Sequence, residues 1–238
     1  MRQILFEVLT DPPGRISSAA DVMQRLCTAL ITVLPIDGAS IALMTSAGHA
    51  GLLAASDAAA ATMEDLQQTL GEGPCLDASR SGRPVLLPDL VGPGRWPAFV
   101  ASATEAGIAA VFAFPLQVGA IQLGVLDLYR RSTGSLDTLE LAEALDFAAA
   151  TTTILLDLQY GAPDGQLHPL LADAANGHRE IHQATGMISV QAAIGLNEAL
   201  LLLRARAYAT ERPLIDVAAD VVRRLLTFSP DRTHDEQA

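Results

Sequence analysis

The chain has 238 residues, half of them apolar, and 15 basic against 27 acidic residues give a formal net charge of −12. No apolar run reaches the roughly 18 to 20 uncharged residues that span a bilayer, and Met1–Thr10 lack the parts of a signal peptide. A soluble cytoplasmic protein without a membrane partner is therefore expected.

Cys27 and Cys75 lie far apart, and neither has a second Cys or a His at ligand spacing, which argues against a disulfide framework or a zinc site. No metal and no cofactor are expected. The charge is uneven: residues 1–162 hold 8 Arg and 17 acids, residues 163–238 hold 7 Arg and 10 acids. All basic residues are Arg. Their planar forks suit phosphate and base stacking, although GC-rich coding gives the same usage.

Taken in order, residues 16–34 carry Val22, Leu26, Ala29, Leu30 and Val33 at helical spacing before a stop at Pro35. Ala39–Met44 and Gly51–Ala55 read as strands joined by a turn at Thr45–Gly48. A polar helical stretch, Asp57–Leu70, is broken at Gly71-Glu72-Gly73-Pro74-Cys75, and a Gly/Pro-rich segment from Ser81 to Pro97 surrounds the short strand Val85–Leu87. Phe99–Ala106 is predicted as a short helix ending at Gly107, followed by antiparallel strands Ala110–Gln117 and Ile121–Tyr129. Leu136–Tyr160 is a long helical pattern. Strands clustered between flanking helices indicate an α+β layer.

Gly161-Ala162-Pro163-Asp164-Gly165 is the strongest boundary signal, and only helical patterns follow it. They run from about Leu170 to Val190, from about Asn197, a possible N-cap, to Thr210, and from Pro213 to about Phe228. Short links between them fit a compact three-helix unit. The expected domains are 1–160 and 161–238, the second ending in a short disordered tail. Around the third helix Val217, Val221, Leu225 and Phe228 form the apolar stripe and leave Arg212, Arg223 and Arg224 solvated.

The stretch Arg179-Glu180-Ile181-His182-Gln183-Ala184-Thr185-Gly186-Met187-Ile188 resembles the signature of the ANTAR family, transcription antitermination modules found behind bacterial sensor domains. Asn197–Leu200, Leu203–Ala207 and Pro213–Ala218 continue the resemblance, which covers residues 168–228. Residues 15–160 look like a GAF domain, on the Gly71–Cys75 turn and the final strand pair ending Gly124-Val125-Leu126-Asp127-Leu128-Tyr129. The order of the two is similar to a common actinobacterial architecture.

The resemblance implies a non-enzymatic regulator that binds RNA hairpins with exposed loops, controlled by a GAF-like sensor for an unknown small molecule. The RNA-contact surface it suggests comprises His178, Arg179, His182, Thr185, Gly186, Arg204, Arg206, Arg212, Arg223 and Arg224. Thr185 stands where many family members carry Lys, which removes one phosphate-reaching cation. Arg204 and Arg206 are two apart on one helix and project from different faces. For Gly186 and the small Ala184 the alternative role is close helix packing.

A sensor pocket between the sheet and the Gly/Pro-rich segment would take Trp96, Phe99, Phe112 and Phe114 as lining and Asp127 as a polar contact, although aromatic residues in strands also build cores. Cys75 is either a small buried hydrophobe or a sensing thiol, since some GAF-like domains reduce methionine sulfoxide or attach bilins through cysteine. Two alternatives stay open: a thiol-dependent catalytic domain, and an adaptor whose helical unit binds a protein. The Leu136–Tyr160 helix, with Leu141, Leu145, Ala148, Thr152, Leu155 and Leu156 near one face, either pairs two chains into a homodimer or packs on its own sheet.

Overall fold

The computed structural model describes residues 19–45, 48–91, 94–160 and 168–228. The chain divides into two compact units, residues 1–176 and 177–238. The expected break at 161–165 lies outside the described residues, as do residues 16–18 of the first helix, the turn residues Ser46 and Ala47, and the tail.

In the first unit, α1 (Ala19–Val33) leads into strands β1 (Gly38–Thr45) and β2 (Gly48–Ala55), then α2 (Ala58–Leu70), α3 (Pro74–Ser81), β3 (Val85–Leu87) and α4 (Pro97–Glu105). Strands β4 (Ala110–Val118) and β5 (Ile121–Arg130) and the long helix α5 (Thr138–Tyr160) follow. The strands form one sheet in the order β2-β1-β5-β4-β3, and every neighbouring pair is antiparallel. This is the α+β layer expected. The expected helix at Phe99–Ala106 begins two residues earlier, because Pro97 occupies its first turn.

The two faces of the sheet follow from the period of two in each strand. Ile41, Leu43, Phe112, Phe114, Leu126 and Leu128 point to one face and pack with Met23, Leu26, Leu30, Phe147 and Leu155 of α1 and α5. Ala148 and Thr152 of α5 are also buried, so the helix seats its apolar stripe on its own sheet, while Leu139 and Leu145 stay exposed. Arg130 locks the start of this helix: its guanidinium donates to the Pro35 carbonyl at 2.7 Å and to Glu140 at 2.9 Å.

The opposite face carries α2, α3 and α4. Ala42, Met44, Ala113 and Val125 meet Cys75, Leu76 and Ala78, while Val111 and Tyr129 meet Met63, Trp96, Phe99 and Ala103. The break expected at Gly71–Cys75 is instead a re-entry into helix. Gly71 closes α2 in the left-handed region at φ 70°, and Pro74 then opens α3 with its ring at the first position. Gly73 sits at φ 141°, where a side chain is strained and a Cβ would lie 2.5 Å from Gln67 Oε1.

Helix α6 (Pro169–Ala192) spans the division between the units, and α7 (Leu196–Ala209) and α8 (Leu214–Val222) complete the second. Ile181, Ala184, Ile188, Ala199, Leu203, Ala207, Leu214, Val217, Ala218 and Val221 form its core. Helix α7 starts one residue before Asn197, and the Glu198 carboxylate accepts from the Gly195 N–H at 3.2 Å. The third stripe departs from expectation at its end: α8 stops at Val222 and Arg224 turns left-handed at φ 61°, so Leu225 is 74% exposed instead of joining the core.

Candidate functional site

Helix α2 buries Ala60, Met63, Glu64 and Gln67, a stripe at helical spacing that includes two polar side chains. Glu64 thus faces the sheet, and the Ser40 hydroxyl of β1 donates to its Oε1 at 2.7 Å. Ser40 and Asp127 are direct cross-strand partners between β1 and β5, and both are fully buried on this face. Cys75 enters from α3, its backbone N–H donating to Gln67 Oε1 at 2.8 Å and its thiol lying 3.9 Å from the Met44 sulfur.

Ligand-type atoms of Glu64, Cys75 and Asp127 all lie within 4.8 Å of one another. Burial and the nearby Glu64 hold the Asp127 carboxyl well above the usual carboxylate range. Burial, reinforced by Asp127 and Glu64, likewise pushes the Cys75 thiol up. Cys75 is therefore a neutral thiol, the reverse of the electropositive, part-exposed setting that activates a nucleophile. Cys27 packs in the core on the other face of the sheet, and burial raises its thiol to about 12.

The six expected pocket residues do not share one site. Phe112 and Phe114 point into the α1–α5 core, because strand alternation sets them opposite Asp127. Trp96 and Phe99 pack beneath α2. Trp96 also borders an outer depression of 370 Å³ with Leu87, Pro88, Asp89, Leu90, Arg95 and Val100. The Arg95 guanidinium stacks 4.2 Å above the indole and pairs with Asp77. Glu72 of the turn caps α4, accepting from the N–H groups of Ala98 at 3.2 Å and Phe99 at 3.3 Å.

The family model for the GAF domain matches residues 17–157. The chain belongs to the GAF family. Among solved structures, the GAF domain of a phosphoenolpyruvate-protein phosphotransferase from Coxiella burnetii is similar at 17% identity and a TM-score of 0.51, over 67% of this chain and 92% of that one. A domain of a putative two-component sensor histidine kinase from Sinorhizobium meliloti 1021 is similar at 19% identity and a TM-score of 0.50, over 60% of this chain and 95% of that one. At this identity the likeness concerns the fold. None of the curated proteins matches the chain. In the GAF unit, Ser40, Glu64, Gln67 and Glu72 join the site without a local sequence signal that singles them out. A Glu on a polar helix ordinarily faces water, and only the spacing Ala60, Met63, Gln67 signals that Glu64 shares the buried side.

In the helical unit, Arg179, His182, Arg206, Arg223 and Arg224 are exposed. Arg179, Arg206, Arg223 and Arg224 have no acidic partner among the described residues. Arg204 is half-buried where Arg206 is exposed, as their spacing implied. Arg212 pairs with Asp220 at 2.8 Å, so its guanidinium is engaged within the unit. Thr185 faces inward, 6% exposed, with its hydroxyl donating to the Ile181 carbonyl at 2.7 Å, so it presents no contact surface. The side chain of His178 lies outside the described residues. A Cβ on Gly186 would meet nothing within 4 Å among the described residues, which removes close packing as the reason for this glycine. Gly186 lines an open groove with Gln183, Met187, Val190, Gln191 and Arg224.

Proposed function

We propose that the chain is a cytoplasmic, non-enzymatic regulator in which the GAF unit responds to a small-molecule signal and the helical unit binds RNA hairpins to prevent transcription termination. The observation that carries the RNA reading is Gly186: in the stretch that resembles an antitermination signature, it leaves an open groove bordered by the exposed Arg224. Backbone there can approach a splayed loop base, while Arg179, Arg206 and Arg223 supply cations for phosphate. Thr185 and Arg212, occupied within the fold, hold the unit together.

The neutral, fully buried Cys75 supports a sensory over a thiol-catalytic GAF unit. Homodimerisation belongs to the same reading, through exposed Leu145 on α5. Its check is the solution mass of the full chain against that of Leu145→Glu.

The test is selection of structured RNAs from a random pool against the full chain. Saturable, loop-dependent binding supports the reading, and the same affinity for unstructured RNA of equal length contradicts it. A second reading, a protein-binding adaptor, is favoured by Val190, Leu201 and Leu225, which are 83%, 66% and 74% exposed in the same unit. Failure to select any RNA moves the assignment to that reading.

A further inference from the structure

Two carboxylates and a thiol converge in the GAF unit and interact chiefly with one another. Glu64, Cys75 and Asp127 are each fully buried, and outside this cluster neither oxygen of Asp127 has a hydrogen-bond partner. The buried Gln67 Nε2 is also an unmet donor beside Cys75, whose backbone its Oε1 holds. Burying a polar group short of partners costs about 2–7 kcal/mol by transfer scales, so a carboxyl whose partners are only a second carboxyl and a thiol leaves a place for a ligand. One proton shared between Glu64 and Asp127 leaves the other Asp127 oxygen with only the weak Cys75 thiol as donor.

We propose that Glu64, Cys75 and Asp127 form a binding site for one divalent first-row transition-metal ion. The donor set selects the class: a thiolate disfavours Mg²⁺ and Ca²⁺, whereas one sulfur with two carboxylates suits borderline ions such as Zn²⁺, Co²⁺ and Fe²⁺. A tetrahedral centre with about 2.0–2.2 Å to oxygen and about 2.3 Å to sulfur sets its donors roughly 3.4–3.6 Å apart, and these three lie within 4.8 Å of one another. The donors come from α2, α3 and β5, elements that pack on one another, so small side-chain adjustments suffice.

The exchange also balances. The divalent ion enters while the Cys75 thiol and the Asp127 carboxyl each lose a proton to solvent, so no net charge is added to the interior. Ser40 serves as the outer partner that orients Glu64 through its 2.7 Å hydrogen bond. Three protein donors leave a fourth position of a tetrahedral centre for water or a small molecule, and Gln67 Nε2 is the donor at hand for it.

The site is independent of the RNA reading, and its test uses the full chain freed of metal with a chelator and titrated with Co²⁺. A near-ultraviolet sulfur-to-cobalt charge-transfer band saturating at one ion per chain is expected. It should be reversed by Zn²⁺, absent in Cys75→Ser and retained in Cys27→Ser. Asp127→Asn, which keeps size and shape, should weaken Co²⁺ binding roughly tenfold or more while its thermal unfolding stays cooperative. Calorimetry in buffers of different ionisation enthalpy should show proton release on binding. No charge-transfer band in the wild-type chain, a band that survives Cys75→Ser, or unchanged affinity in Asp127→Asn overturns the proposal.

Discussion

Tyr129 of β5 donates its phenolic hydrogen to Asp57 Oδ2 at 2.6 Å, and the other oxygen of Asp57 accepts from the Ala60 N–H at 2.8 Å as the N-cap of α2. One carboxylate thus ties the start of α2 to the strand that carries Asp127, and Glu64 follows less than two turns later. Gly38 makes room for the ring: a Cβ there would lie 2.2 Å from Tyr129 Cε1.

Removing that tie should loosen the site before it unfolds the unit. Tyr129→Phe loses a hydrogen bond to a charged group and should cost about 1.5–3 kcal/mol in chemical denaturation. Burial, with the Asp57 bond second, raises the Tyr129 hydroxyl to about 12 from 10.0. Its raised value favours the protonated form in the folded state, so the contribution is intact below about pH 10 and is lost as pH rises towards 12. Cys27, raised to about 12 from 9.0, adds to the same alkaline fall. Tyr129→Phe should flatten that limb, and a limb of unchanged slope would contradict the assignment.

Asp127→Asn should behave in the opposite sense. Because burial raises the Asp127 carboxyl, the unfolded chain releases this proton first, and the metal-free protein loses stability as pH climbs above the ordinary carboxylate range. Replacing the acid by an amide that can donate to Glu64 should raise metal-free stability at neutral pH by roughly 1–3 kcal/mol. Urea unfolding at acid and neutral pH checks it: a variant less stable than wild type at neutral pH would show that Asp127 is already well satisfied.

The turn that delivers Cys75 leaves little room for a side chain at Gly73. Gly73→Ala places a Cβ against Gln67 at φ 141° and should cost about 1–3 kcal/mol, with loss of the Gln67–Cys75 bond. A thermal midpoint equal to wild type would contradict the strain.

Much of this fold is legible in the sequence for a physical reason. Short apolar runs mark β4 and β5, and Pro35 and Gly107 mark where elements stop, because such signals are local. Helix α3 escapes notice because it is short, opens on Gly73-Pro74 and shows little apolar repeat. The site escapes for a different reason. Asp127 stands out as a polar residue within an apolar strand, but its partners Ser40 and Glu64 reach it through strand pairing and helix seating, which no local pattern fixes. The same holds for Phe112 and Phe114, whose period of two says they share a face without saying which helices cover it.

Gly186 separates packing from recognition in the helical unit. With open space around it, Gly186→Ala should stabilise the mid-helix position by roughly 0.5–1 kcal/mol, whereas Gly186→Glu should fold equally well and bind RNA more weakly. Lower stability for Gly186→Ala would restore the packing role.

The most direct measurement is the salt dependence of binding between the full chain and a selected RNA hairpin, for wild type and for a variant with Arg206, Arg223 and Arg224 changed to Ala. The account predicts wild-type affinity falling steeply with salt and a log–log slope reduced by about one per phosphate-contacting Arg removed, with the fold intact by circular dichroism. Equal slopes for the two proteins, or no hairpin binding by the wild-type chain, would contradict an RNA-binding output.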